Sequence, residues 1–205
     1  MSSQVFFSAF SLAASQIVGI GPQNAFVLRQ GLARQHVLTI VLICIACDVL
    51  LISLGVFGVG RLLASLPSLT SLLVWCGAGL MLWLSYQSFH AAFVGKALQL
   101  QQDARLCRNG VIRNLLLVTL LNPYVWLDTV VLIGSMSVMH GAQGRLPFML
   151  GALAASVMWF FTVGFGAGRL APWFQRPGSW RLLDIAIGSI MLLTAGMLLG
   201  RSGAI

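Results

Sequence analysis

Apolar residues in this chain come in long runs, and polar residues gather in short clusters between them. The runs lie near Phe6–Leu28, Val37–Gly60, Leu69–Val94, Leu115–Val138, Pro147–Leu170 and Leu182–Gly200. Each is close to the roughly 20 residues a helix needs to cross the hydrocarbon core of a bilayer. The pattern predicts an all-α, polytopic membrane protein of about six transmembrane helices. The connections are short and hold the Arg, Pro and Gln residues. The longest, Gly95 to Asn114, carries Lys96, Gln99, Gln101, Gln102, Asp103, Arg105, Arg108 and Arg113. It is expected to be an interfacial helical hairpin loop on the anionic leaflet surface. No Lys or Arg precedes Arg29 and the first run is too long for a signal-peptide core, so that run is expected to stay as the first span.

Composition narrows the function classes. Of 205 residues, 59% are hydrophobic and 8% charged, against about 25% charged in ordinary soluble domains. Mean hydropathy is +0.94. A soluble enzyme is excluded because the chain cannot build a water-facing surface, and disorder because too much apolar surface would stay solvated. Nucleic-acid binding is excluded despite a pI near 10.7, since the 12 Lys and Arg are scattered between apolar runs rather than gathered on one face. There is no room for an ATPase module and no phosphate-binding G-x-x-x-x-G-K-[ST] loop. Active transport would therefore draw on an ion gradient or on a gradient of the substrate.

The positive charges also orient the chain. The odd-numbered connections hold Arg29 and Arg34, then Lys96, Arg105, Arg108 and Arg113, then Arg169, Arg176 and Arg181; the other side holds Arg61, Arg145 and Arg201. The positive-inside rule puts loops 29–36, 95–114 and 171–181 in the cytoplasm. With six full spans both termini face out; a re-entrant first span would move the N-terminus to the other side.

An internal repeat divides what is expected to be a single transmembrane domain, residues 1–205. Phe57-Gly58-Val59-Gly60-Arg61-Leu62 recurs as Phe165-Gly166-Ala167-Gly168-Arg169-Leu170, an offset of 108 residues. The first copy closes the second run and the second closes the fifth. Gly21-Pro22 in the first run matches Asn122-Pro123 in the fourth more loosely. Repeats of about 1–95 and 114–205, flanking a loop of about 96–113, hold three spans each. An odd number of spans makes such halves inverted, with broken first and fourth helices.

Two residues break the apolar rule most sharply. Asp48 lies midway along the second run and Asp128 inside the fourth, and they are two of only four acidic residues. A carboxylate at the bilayer centre costs a few kcal/mol or more. Ionised, the pair would attract a cation in a low-dielectric cavity; protonated, it would carry protons. The bland alternative is a hydrogen bond that pins two helices. Both acids come with helix breakers. Gly19, Gly21 and Pro22 should break the first helix, with Gln23 and Asn24 beside the break, and Asn122-Pro123 should break the fourth. The positive end of the second half-helix suits a carboxylate.

Other candidates carry less. Cys44 and Cys47 fit small packing residues on an apolar helix. His36, His90 and His140 fall at span ends, so neither a metal site nor a cofactor is expected. Asp184, near Arg181, is expected to form an interfacial ion pair or an N-terminal helix charge. Tyr124 and Trp159 are candidate cavity walls, and Trp173 and Trp180 candidate belt residues. Gly- and Ala-rich faces permit helix association within or between chains, so a homo-oligomer stays open. An intramembrane aspartyl enzyme would need a G-x-G-D context, and Gly19-Ile20-Gly21-Pro22 has proline where the aspartate belongs. A structural membrane subunit would leave the buried acids and paired breaks without a purpose.

Four segments together resemble the LysE-type amino-acid exporters: Gly21-Pro22-Gln23-Asn24-Ala25-Phe26-Val27, Cys47-Asp48, Leu121-Asn122-Pro123-Tyr124-Val125-Trp126-Leu127-Asp128-Thr129, and Ser156-Val157-Met158-Trp159-Phe160-Phe161. The resemblance covers nearly the whole chain. It implies a bacterial inner-membrane exporter of basic L-amino acids, arginine first and lysine as a second candidate, driven by the proton-motive force. It also implies that the Asn-Pro segment and the two intramembrane acids matter. A neutral amino acid or a metal cation remains an alternative cargo, although an all-oxygen metal site would want more ligands.

Overall fold

The computed structural model describes residues 2–17, 21–59, 62, 65–94, 107–175 and 177–202. Its main helices are α1 (Ser2–Ile17), α2 (Pro22–Leu32), α3 (Val37–Leu54), α4 (Pro67–Val94), α5 (Arg108–Leu120), α6 (Pro123–Val138), α7 (Gly141–Leu170) and α8 (Pro177–Ser202). No strand occurs among the described residues. Four helices are long and apolar enough to cross a membrane, or six if each bent pair counts as one span. The chain is a multi-pass membrane protein.

The bent pairs fall at the two proline motifs. Helices α1 and α2 differ in direction by 78°, and α5 and α6 by 54°. Each second half-helix starts on its proline, whose fixed φ and missing N–H suit a first turn. Residues 18–20, including Gly19, lie outside the described residues. Helices α1 and α2 together follow α7 along its length. Phe6 of α1 lies against Gly151, where a Cβ would collide with the Phe6 carbonyl oxygen. Gly31 of α2 lies so close to Gly164 that a Cβ would come within 2.7 Å of its carbonyl oxygen. Small residues allow this approach, as at other intramembrane helix contacts.

Several boundaries differ from the apolar runs. Helix α5 begins at Arg108 rather than Leu115 and α7 at Gly141 rather than Pro147, which sits inside it. Helix α8 begins at Pro177 rather than Leu182. Hydropathy marks only the lipid-facing length, and these helices continue past it. Residues 108–114, expected in the polar loop, are therefore helical; 95–106 lie outside the described residues. The two F-G-x-G-R-L copies also differ. The second is a regular end of α7, whereas Gly55–Val59 forms a π-type turn after α3, with Gly58 at φ 127°. Only glycine enters that region at little cost. Gly60 and Arg61 lie outside the described residues.

Apolar contacts join the spans around this frame. Ala9, Ala13, Ile52, Ile133, Phe148 and Ala152 form one core cluster, linking α1, α3, α6 and α7. Val27, Val41, Cys44, Leu115 and Phe160 form another. Helix α4 packs along α8, where Ser85 Oγ donates to the Gly188 carbonyl at 2.8 Å. Large apolar side chains such as Trp75, Trp83, Phe93 and Leu193 stay exposed on the outer faces, as lipid contact requires. Trp173 is exposed as expected of a belt residue, but Trp180 turns inward, donating its indole N–H to the Phe174 carbonyl at 2.7 Å. The tight linker before α8 leaves that carbonyl in need of a donor, and the indole supplies it.

Candidate functional site

The two breaks face one cavity of about 60 Å³. Gly21, Pro22, Gln23 and Asn24 reach it from the first break, and Asn122, Tyr124 and Asp128 from the second. Asp48 enters from the middle of α3. The structure thus brings together both intramembrane acids and the polar residues of both breaks. Pro123 starts α6 behind this wall, and Trp159 is not a lining residue; Phe160 is.

Asp48 is 6% exposed, and its Oδ2 accepts from Ser156 Oγ at 2.6 Å. One turn further along α7, Trp159 Nε1 donates to Asn24 Oδ1 at 3.1 Å. The i, i+3 spacing puts Ser156 and Trp159 on one face of α7. Asn24 then uses its amide nitrogen to reach back to the Ile17 carbonyl at 2.7 Å, capping the end of α1. Trp159 therefore acts on the cavity through Asn24.

The second break is closed locally. Asn122 Oδ1 accepts from the Tyr124 backbone N–H at 3.0 Å, an N-cap on α6. Trp126 Nε1 donates to the Leu120 carbonyl at 2.8 Å, capping α5. Asp128 follows in a π-helical stretch, Trp126–Ile133; such widened turns are frequent at functional sites. Gln16 Oε1, Gln23 Nε2 and Asn122 Nδ2 are buried without hydrogen-bond partners among the described residues. Those groups are costly to leave unpaired, and all three residues line the cavity. The arrangement offers two carboxyl groups beside amide donors and acceptors, a set suited to a small zwitterion or cation.

The residues missed in sequence are Ser156, Gln16 and the partner of Asp184. Gln16 has a signal, as a polar residue inside an apolar run. Ser156 has only its place in the motif segment around Trp159. Asp184 pairs with Arg29, not Arg181, at 2.6 Å; it is fully buried against α2 rather than interfacial. Arg181 instead lies over the Phe93 ring, 5.3 Å from its centroid.

Comparisons with known proteins agree with this architecture. The family model of the LysE type translocator matches residues 14–202. An arginine exporter protein ArgO of Yersinia enterocolitica is 40% identical over 192 residues, covering 93% of this chain and 94% of that protein. A putative amino-acid transporter YggA of Aeromonas salmonicida is 40% identical over 184 residues, 89% of each chain. An arginine exporter protein ArgO of Serratia proteamaculans is 38% identical over 188 residues, 91% of this chain and 92% of that one. No solved structure matches. A family match over nearly the full length, spanning both breaks and every residue that lines the cavity, places this chain in the LysE-type translocator family.

Proposed function

We propose that the protein is a secondary transporter that exports basic L-amino acids, arginine first, from the cytoplasm of a bacterial cell in exchange for protons. The observation that carries this reading is the single cavity holding Asp48, Asp128 and the buried amide nitrogens of Gln23 and Asn122, unpartnered among the described residues, between two broken helices. The curated relatives named as arginine exporters support the choice of cargo. A carboxylate can take a guanidinium bidentately. The start of a broken half-helix suits the α-carboxylate.

The energetics favour antiport. Moving one positive charge out against an inside-negative potential costs about 2.3 kcal/mol per 100 mV. One proton moving in for each cation cancels that electrical work. Asp48 and Asp128 are the groups that proton and cargo would share in turn. The two inverted halves would rock about this site. Two observations support them: matching proline-started breaks in spans one and four, and the Asp48–Ser156 hydrogen bond. Asp48 and Ser156 are 108 residues apart, the offset of the F-G-x-G-R-L copies. Equivalent positions of two halves meet where their symmetry axis passes. A cavity of about 60 Å³ is far below the roughly 300 Å³ and more of ordinary ligand sites. Loading an amino acid there therefore requires the half-helices to move apart.

Efflux of labelled arginine from proteoliposomes, with lysine, leucine and an uncoupler as comparisons, tests the proposal. Arginine efflux should stop with the uncoupler. Asp48→Asn at matched membrane level should lose about tenfold or more, as expected from removing a charged hydrogen-bonding partner. Equal export by Asp48→Asn and wild type would sink the shared-site mechanism. Leucine efflux without arginine efflux would overturn the assignment of the two aspartates as cation ligands.

A further inference from the structure

Helix α2 borders two cavities, and Pro22 at its start belongs to the walls of both. The second cavity, about 230 Å³, lies between α2, α4 and α8. Arg29 lines it, with Gln87 and Ser88 of α4 as the other polar residues and Phe26, Leu84 and Ile187 among the apolar ones. Arg29 Nη2 donates to Asp184 Oδ1 at 2.6 Å, the Arg29 side chain being 27% exposed and that of Asp184 fully buried. The pair is engaged through one atom of each group. Arg29 Nε is buried with no partner among the described residues, and so is Asp184 Oδ2. The guanidinium keeps 27% of its side-chain surface exposed and lines a cavity.

A planar guanidinium at a cavity wall recognises a carboxylate. Asp184, behind Arg29 and off the wall, positions it and cancels its charge, so a ligand with a net positive charge is not repelled. The location also fits. The end of α2, the end of α4 and the start of α8 lie at the end of the molecule where Arg34 of the first loop donates to the Gly168 carbonyl of α7 at 2.8 Å. That is the end whose loops the positive-inside rule assigns to the cytoplasm. Cargo entering there and passing Pro22 would arrive at Asp48 and Asp128.

We infer that the Arg29 cavity is a second amino-acid site, an entry vestibule in which Arg29, positioned by Asp184, receives the α-carboxylate of the cargo. This rests on the export reading above. Equilibrium dialysis of labelled L-arginine against the purified full chain tests it. Wild type should bind two arginines per chain. The charge-neutral double variant Arg29→Gln/Asp184→Asn should bind one, and so should Asp48→Asn. The decarboxylated analogue of arginine should occupy one site in wild type and be unaffected by the double variant. Ala91→Phe, which fills the cavity from α4 and leaves the ion pair alone, should also bind one arginine, should the double variant fail to fold. A single site in wild type that neither Arg29→Gln/Asp184→Asn nor Ala91→Phe alters would overturn the vestibule and leave the export reading standing. No arginine bound by wild type would overturn both. Loss of the second site in phosphatidylglycerol nanodiscs but not in phosphatidylcholine would assign it to a lipid headgroup instead, and overturn the proposal.

Discussion

The two helix breaks use the same device and hold it in different ways. Each half-helix begins on a proline, and each preceding helix end has a carbonyl caught by a side chain a few residues on, Ile17 by Asn24 and Leu120 by Trp126. At the second break Asn122 caps Tyr124 two residues away, and Tyr124 packs against Gly77 of α4. The first has no side-chain cap at Gly21. It is held from outside, by Trp159 of α7 on Asn24 and, at the far end of α2, by Asp184 of α8 on Arg29. The two caps at the second break, from Asn122 and Trp126, come from within a few residues. The first break is tied to two distant spans, α7 and α8.

That contrast predicts a graded series of effects. Arg29→Ala should be the most damaging to stability, because it leaves Asp184 buried without its counter-charge. Breaking a buried pair costs about 3–5 kcal/mol. The partial exposure of Arg29 puts the loss near the lower end, read as a fall in the thermal unfolding midpoint in detergent. Restoration by Arg29→Gln/Asp184→Asn would show that the buried charge was the cause. Asn24→Ala should come next, at about 2–3 kcal/mol, since it strands both the Ile17 carbonyl and the Trp159 indole N–H. A double-mutant cycle with Trp159→Phe should return a coupling of about 0.5 kcal/mol or more. Additive losses would mean that Trp159 does not hold the first break. Asn122→Ala should cost only about 1 kcal/mol, the loss of one cap. Trp126→Phe should cost a similar or smaller amount, because only the Leu120 carbonyl loses its partner. If the second-break variants proved as damaging as Asn24→Ala, the division into a local and a remotely held break would fail.

Legibility in the sequence follows the same division. Proline and glycine act on their own backbone, so Gly21-Pro22 and Asn122-Pro123 are enough to place both breaks. An isolated acid in an apolar run announces itself, so Asp48 and Asp128 stand out; so do the long runs that form the spans. The misreadings are of another kind. Asp184 looks interfacial because Arg181 is close in sequence, yet its partner is 155 residues away. Trp180 looks like a belt residue, yet it caps a linker carbonyl and is buried. The two F-G-x-G-R-L copies look equivalent, yet one is a π-type turn and the other a plain helix end.

The amino-acid sequence by itself determined a multi-pass helical protein, the sites of its two breaks, and the presence of two acids that are costly to bury. Those outcomes depend on hydropathy and on local backbone sterics, which act within a few residues. Only the tertiary structure decided that the two acids share one cavity, that Ser156 bonds to Asp48, and that Arg29 pairs with Asp184 and lines a second cavity. Hydrogen bonds and ion pairs act over about 3 Å, and which groups come that close is set by how the spans pack.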